Sequence, residues 1–404
     1  MKKTAITLLL LITVLLNAIA QTPEETLHHK LDSISKQKGL VGFGVSVFSP
    51  DTILYKKGYG YADKENKKPY TVNTVHNIGS ISKTFVGVSL MKAVELGLFS
   101  METPINDILP FEVIHPSYPE EQITITHLAT HTSGIQDTDE SYDRSYVLEN
   151  PKNVDISIYD RETAKYMKNL LENEAMELGV FLHEYFSTDG SMYQKKNFLK
   201  TAPGERYTYS NMGAALAGYC IGVASGKSFS EFTQEHIFDK VKIKDIGWSY
   251  NSIDVNNFAK TYSDTSIAFP RYSLNSYPDG GLCTSVLGLT KYAQEMLNCY
   301  YGKGTILKQD SAKEMMIGKL TKQQYNSKKE VKDNYGYFWE HNRNNIIGHN
   351  GADPGIMTLM YYYEDIKLGA IFFTNSNVID NPEAAKLVQA SWNAIRAYQN
   401  EIAK

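Results

Sequence analysis

The hydrophobic pattern of this chain changes period twice, and that limits the folds open to it more than any other feature. "VGFGVSVFS" (41–49) and "TILYKKGYGYA" (52–62) alternate as strands do, and Ser49-Pro50-Asp51 between them is a hairpin signal. From Asp107 to about Tyr300 the pattern is instead helices and long polar loops, among them "ITHLATHTSG" and "SNMGAALAGYCIGVAS". Strand character then returns in "YGYFWEHN", "NIIGHNG", "MTLMYYY" and "GAIFFTNS", before a closing helix "PEAAKLVQASWNAIRAYQN". Two further helices are expected near the start. "PEETLHHKLDSISKQKG" carries Leu27, Leu31 and Ile34 on one face and stops at Gly39; "HNIGSISKTFVGVSLMKAVELGLF" repeats Phe85, Val88, Leu90, Met91, Val94 and Leu98 and stops at Gly97. This order predicts an α/β (α+β) architecture: one antiparallel sheet formed by both chain ends and flanked by helices, with a mostly helical subdomain inserted. No linker, charge block or repeat interrupts it. Residues 21–404 therefore read as one domain, with a sheet part at about 21–100 and 310–404 and a helical part at about 101–309.

The first twenty residues stand apart. Lys2 and Lys3 precede an apolar run from Ala5 to Leu16, and Ala18-Ile19-Ala20 offers small residues ahead of Gln21, the pattern of a cleaved secretory signal. The run is shorter than the roughly 20 apolar residues that span a bilayer, and no later segment approaches that length. A secreted or periplasmic protein without a stable membrane span is expected. The formal net charge is −4, and removal of Lys2 and Lys3 takes it to −6, which argues against nucleic acid or an anionic membrane surface as partner. Cys220, Cys283 and Cys299 are odd in number and lie in apolar segments, so buried thiols are expected.

The tetrapeptide "SISK" occurs twice, at 33–36 and 80–83. A lysine three residues after a serine shares its helix face and can bring its amine to the hydroxyl, as a serine nucleophile requires. That spacing occurs four times: Ser33/Lys36, Ser35/Lys38, Ser80/Lys83 and Ser89/Lys92. The first two lie on a polar surface helix where the lysine stays solvated. Ser89 lies inside the apolar helix, its hydroxyl expected to bond a carbonyl one turn back. Ser80 alone follows a glycine at the opening of an apolar helix, where its own N–H is a free helix-start donor. Burial of Lys83 among Ile78, Phe85 and Val86 would disfavour its charged form.

"NIGSISKTF" resembles the nucleophile motif of the serine β-lactamase and penicillin-binding-protein superfamily, in its class C β-lactamase and DD-peptidase branch. Two further motifs of that family occur downstream in order, Tyr209-Ser210-Asn211 in "PGERYTYSNMG" and His349-Asn350-Gly351 in "NIIGHNGADPG". The resemblance implies Ser80 as nucleophile, Lys83 and Tyr209 as the groups that take its proton, and Asn211 as the holder of the Lys83 amine and a substrate amide. It implies His349 and Gly351 as the substrate-facing strand, and the Ala352 N–H as second oxyanion donor beside that of Ser80. Gly351 is needed there because a side chain would keep the strand from the substrate. "ITHLATHTSGI" and "YPDGGLCTS" look like supporting loops of the same family. His127 and His131 stand at i, i+4 in the first, but the glutamate of the zinc-protease motif is missing, so a structural role is expected.

The resemblance spans about Leu40 to about Ala397. It implies acyl transfer through a serine ester with no metal and no organic cofactor, on a small-molecule or peptide substrate of the cell-wall type. The third motif begins with His349, charged for only part of the population near neutral pH, where β-lactamases of this type place a lysine. That favours a DD-peptidase, D-amino-acid peptidase or esterase; the alternatives are a β-lactamase and a non-catalytic peptidoglycan-binding or sensor protein. The tyrosine-rich segment at about 138–200 is longer than a compact member of the family would have, and could line or cover the pocket.

Overall fold

The computed structural model describes residues 21–325, 333–342, 344–379 and 381–404. The export signal read at residues 1–20 lies outside them. No helix among the described residues is long and apolar enough to cross a membrane.

The strands are β1 (Gly42–Phe48), β2 (Ile53–Asp63), β3 (Lys68–Pro69), β4 (Val75–Asn77), β5 (Tyr146–Leu148), β6 (Tyr272–Leu274), β7 (Cys283–Ser285), β8 (Asp333–Tyr335), β9 (Glu340–Asn342), β10 (Ile346–Asp353), β11 (Ile356–Tyr363) and β12 (Leu368–Thr374). Eight of them form one sheet in the order β3-β2-β1-β12-β11-β10-β9-β8, every pair antiparallel. The first and last long strands are therefore neighbours, with Phe43 opposite Thr374 and Phe48 opposite Gly369. Two small ribbons, β4 with β7 and β5 with β6, lie apart from the main sheet.

The principal helices are α1 (Pro23–Ser35), α2 (Ser82–Glu95), α3 (Asn211–Ser225), α4 (Val286–Tyr300) and α5 (Pro382–Ile402). Helices α1 and α5 cover one face of the sheet through Leu27, Leu31, Phe43, Phe372, Leu387 and Ile395. The helical region, with α2, α3 and α4, covers the other. Because both faces are covered, β1 and β12 are buried at every position, which explains their nearly continuous apolar sequence. Phe43 and Phe372 stack with ring centres 5.5 Å apart across the β1–β12 pair; a fully buried aromatic of this kind contributes about 1.5–3 kcal/mol.

Three local expectations need correction. Helix α1 ends at Ser35 rather than running to Gly39, because Lys36 already leaves the helix as its cap. "YGYFWEHN" is not one strand: β8 and β9 are joined by a tight loop in which Phe338 takes a left-handed conformation (φ 57°) and donates its N–H to the Ala129 carbonyl at 2.9 Å. The Ser89 hydroxyl is buried but makes no bond to a carbonyl one turn back. The three cysteines are free and buried.

Candidate active site

Ser80 sits in a single 3₁₀ turn, Gly79–Ile81, that leads directly into α2. Gly79 has φ +53°, a conformation L side chains rarely adopt, so glycine lets the chain turn sharply from β4 into the helix. The Ile78 N–H donates to the Leu282 carbonyl at 2.9 Å, and the Thr358 hydroxyl donates to the Ile78 carbonyl at 2.8 Å, so the turn is held from both sides.

One turn later Lys83 is wholly buried. Its Nζ lies 3.0 Å from Ser80 Oγ, 2.7 Å from Asn211 Oδ1 and 2.7 Å from the Asp279 carbonyl oxygen. The rival pairs look different. Lys36 bonds Asp32 at 2.6 Å and Lys92 bonds Glu95 at 2.8 Å, both away from a serine hydroxyl. Among the four serine/lysine pairs, all within the described residues, Ser80/Lys83 is the one in which amine meets hydroxyl.

The Tyr209 phenol neighbours Ser80, and the Lys83 Nζ lies 5.0 Å from its ring centre. Tyr209, Ser210 and Asn211 enter α3, and Asp137 fixes that entry: its carboxylate accepts from the Asn211 N–H (2.5 Å), the Met212 N–H (3.2 Å) and the Ser210 hydroxyl (2.9 Å). An anion at the start of a helix satisfies orphan donors and faces the positive end of the helix dipole. His131, in a left-handed conformation, accepts the Ser210 N–H on Nδ1 at 3.2 Å and lays its ring 4.5 Å from that of Tyr209. His127 is occupied elsewhere: its Nδ1 accepts the Thr124 N–H in a helix cap.

Strand β10 lies against the Ser80 turn. A Cβ placed on Gly351 would stand 2.1 Å from the Ile78 carbonyl oxygen and 3.0 Å from the Ser80 nitrogen, and one on Gly79 would stand 2.9 Å from the Ala352 nitrogen. The two backbone amides of Ser80 and Ala352 thus meet across one seam, an arrangement able to hold a developing oxyanion. His349, on the same strand, is 1% exposed, with its ring 6.2 Å from that of Tyr209. Its Nδ1 lies 2.5 Å from the Asn350 carbonyl oxygen, which can only accept, so Nδ1 carries the hydrogen and Nε2 presents a lone pair. Nε2 is buried with no partner.

Burial dominates the electrostatics. It lowers the pKa of Lys83, against the opposing charges of Asp279, Asp137 and Asp353. It raises the Tyr209 phenol far above its ordinary value, and it pushes Asp279 up to about 6 and Asp353 up to about 7. His349 is pushed down to about 3 by burial, with the Lys83 charge adding to the effect. The expectation that His349 is partly cationic near neutral pH is therefore wrong: an imidazole enclosed this completely stays neutral.

Every residue singled out from the sequence, Ser80, Lys83, Tyr209, Asn211, His349, Gly351 and Ala352, lies in this one cluster. Sequence reasoning missed Asp137 and the Asp279 carbonyl. Asp279 falls in the loop "YPDGGLCTS", but nothing local reveals that its backbone oxygen binds Lys83. Tyr142 and Tyr146 of the tyrosine-rich segment were not singled out either, and both donate to buried carboxylates: Tyr142 to Asp279 Oδ2 at 2.5 Å and Tyr146 to Asp353 Oδ1 at 2.6 Å.

The chain matches the family model described as Beta-lactamase over residues 26–391. Among curated proteins it is 25% identical to "Penicillin-binding protein 4*" of Bacillus subtilis (strain 168), over 84% of this chain and 69% of that protein. It is 25% identical to "Esterase EstB" of Burkholderia gladioli over 58% of this chain, spanning about half (53%) of the esterase's length. Among solved structures, the β-lactamase/D-alanine carboxypeptidase from Pseudomonas syringae superposes with a TM-score of 0.65 at 16% identity, over 92% of this chain and 98% of that one. With the family model covering most of its length and the sheet-and-helix fold shared, this chain belongs to the Beta-lactamase family of serine hydrolases.

Proposed function

We propose that this protein is an exported serine hydrolase that works through an acyl-enzyme on Ser80 and acts on a peptide, amide or ester, as a DD-peptidase, D-amino-acid peptidase or esterase would. The observation that carries this reading is the set of partners around the Lys83 amine. Asn211 Oδ1 and the Asp279 carbonyl are fixed acceptors, and Ser80 Oγ is the third neighbour. A neutral amine has two N–H groups for the two acceptors and one lone pair left over, directed at the serine hydroxyl. Burial of Lys83 favours that neutral form.

Lys83, with Tyr209, takes the hydroxyl proton as Ser80 Oγ attacks the substrate carbonyl carbon. The oxyanion rests between the Ser80 and Ala352 N–H groups, donors worth about 3–4 kcal/mol each in comparable sites. Collapse expels the leaving group, which receives the proton through Tyr209, and water then cleaves the Ser80 ester. Asn211 holds Lys83 and a substrate amide, while Gly351 keeps β10 close enough for the substrate to lie along it. The neutral, buried His349 supplies no cation for the carboxylate of a β-lactam, which weakens the β-lactamase alternative. Residues 21–404 are read as the hydrolase domain, with the sheet and helical parts divided at about 100 and 310. Lys2-Lys3, the apolar run and Ala18-Ile19-Ala20 support export.

The test is labelling of the purified mature protein with a fluorophosphonate, analysed by intact mass. A stoichiometric adduct that vanishes in Ser80→Ala is expected. Equal labelling of both proteins, or of neither, would leave a non-catalytic binding protein as the better reading.

A further inference from the structure

We infer that the tyrosine-rich segment positions the proposed catalytic groups: Tyr142, through Asp279, holds the carbonyl that accepts from Lys83, and Tyr146, through Asp353, holds the strand end that carries the Ala352 amide. This deepens the acyl-enzyme reading and rests on it.

The first arm reaches the Lys83 amine. Tyr142 closes a short helix, Asp139–Tyr142, and its hydroxyl donates to Asp279 Oδ2 at 2.5 Å. The Ser276 hydroxyl donates to the other oxygen, Oδ1, at 2.9 Å. Asp279 is fully buried at the end of the 3₁₀ turn Tyr277–Asp279, and its backbone carbonyl accepts from Lys83 Nζ at 2.7 Å. Both side-chain oxygens of Asp279 are thus held by hydroxyls while its carbonyl faces the amine, so the side chain fixes where that carbonyl stands.

The second arm reaches the seam between β10 and the Ser80 turn. Tyr146 donates to Asp353 Oδ1 at 2.6 Å, and Asn77 Nδ2 donates to Oδ2 at 3.3 Å. Asp353 directly follows Ala352, and Asn77 ends β4 three residues before Ser80. The Asp353 side chain therefore joins the two segments whose amides are proposed to hold the oxyanion. Tyr272 completes the brace, accepting from Asn77 Nδ2 at 2.9 Å and donating to the Pro354 carbonyl at 3.1 Å.

Bonds of its own tie the segment to the same loop. Tyr146 pairs with Leu274 in the β5–β6 ribbon, and the Asn275 N–H donates to the Ser145 carbonyl at 2.8 Å. Asn173 Nδ2 donates to the carbonyls of Asp143 and Tyr146, each at 2.8 Å. The Tyr142 and Tyr146 rings meet edge to face with centres 5.7 Å apart. Replacing either tyrosine by phenylalanine keeps this packing and removes one hydroxyl, so the effect falls on position rather than on the fold.

The experiment measures kinact and KI for Ser80 labelling by a fluorophosphonate, followed by intact mass, with folding of each protein checked by its thermal transition. The variants are Tyr142→Phe, Tyr146→Phe and, as control, Tyr159→Phe, which removes a hydroxyl of the same segment that donates to the Ala268 carbonyl at 2.8 Å. A misplacement of about 1 Å costs about 100-fold in rate, and each of the first two variants should lose about tenfold or more. The loss should fall in kinact, with KI unchanged, and Tyr159→Phe should stay within about twofold of wild type. Because Tyr142 acts through Asp279, adding Tyr142→Phe to Asp279→Ala should slow labelling by no more than about twofold further. Three results would each overturn the inference and leave the hydrolase reading standing: kinact within about twofold of wild type in Tyr142→Phe or in Tyr146→Phe, an equal loss in Tyr159→Phe, or full additivity of Tyr142→Phe with Asp279→Ala. Absence of Ser80 labelling in the wild-type protein would overturn the hydrolase reading and this inference with it.

Discussion

Gly351→Ala is the sharpest perturbation of this site, because it adds one methyl group at the seam between β10 and the nucleophile turn. Gly351 lies in the strand β10 and does not have a positive φ, so backbone conformation alone would tolerate alanine. Space would not. The new Cβ would stand 2.1 Å from the Ile78 carbonyl oxygen, 2.6 Å from Thr358 Oγ1 and 3.0 Å from the Ser80 nitrogen. Contacts of that kind open to a little over 3 Å, so β10 and the turn must separate by roughly 1 Å, and they are the two elements proposed above to carry the oxyanion donors. A misplacement of about 1 Å lowers a rate by about 100-fold, and loss of one donor lowers kcat by about 100- to 1,000-fold. Overpacking adds a stability loss of about 1–3 kcal/mol. Single-turnover acylation by a chromogenic ester, normalised to folded protein by the thermal transition, separates the two effects. Gly97→Ala is the control: Gly97 has φ +74° and nothing within 4 Å of a Cβ, so alanine there costs about 1–2 kcal/mol of backbone strain and leaves the rate unchanged. A folded Gly351→Ala enzyme that acylates within about threefold of wild type would refute the placement of the two amides.

Lys83→Met, close in size but without an amine, should lower single-turnover acylation by about 100- to 10,000-fold with the fold retained by circular dichroism. Asp137→Ala leaves the Asn211 and Met212 N–H groups and the Ser210 hydroxyl without their acceptor; it should cost about 1–3 kcal/mol in denaturant unfolding and depress acylation, because the same turn carries Tyr209. Asp353, raised by burial from 3.8 to about 7, stays protonated in the folded chain at pH values where the unfolded chain has released its proton. Folding therefore loses stability as pH rises through that window, and the Tm of Asp353→Asn relative to wild type should increase between pH 5 and pH 8. A difference independent of pH would show that the Asp353 carboxyl is not perturbed.

Much of this architecture is legible in one sequence because period is a local property. The alternation in 41–62 and 345–376 and the helical spacing in 82–95 and 382–400 follow from which face each element buries, and the structure places those elements as expected. Ser80 was separable from three similar serines by its neighbours alone, a preceding glycine and an apolar helix. What was not legible depends on contacts between distant segments. The Asp279 carbonyl reaches Lys83 across 196 residues of chain, and Asp137 caps a helix that begins 74 residues later. The charge of His349 was misjudged because composition around "GHNG" does not reveal that the ring is wholly enclosed. The β8–β9 loop was read as strand because Tyr337, Phe338 and Trp339 are aromatic; they are buried in the core beneath the site rather than alternating across a sheet.

The most direct test of covalent catalysis is rapid-quench mass spectrometry of the purified enzyme mixed with excess ester, followed by peptide mapping. Acyl transfer to Ser80 predicts a transient mass increase equal to the acyl group, located on the peptide that contains Ser80 and absent in Ser80→Ala. Turnover of the ester with no acyl group on that peptide at any quench time, or with activity intact in Ser80→Ala, would contradict it.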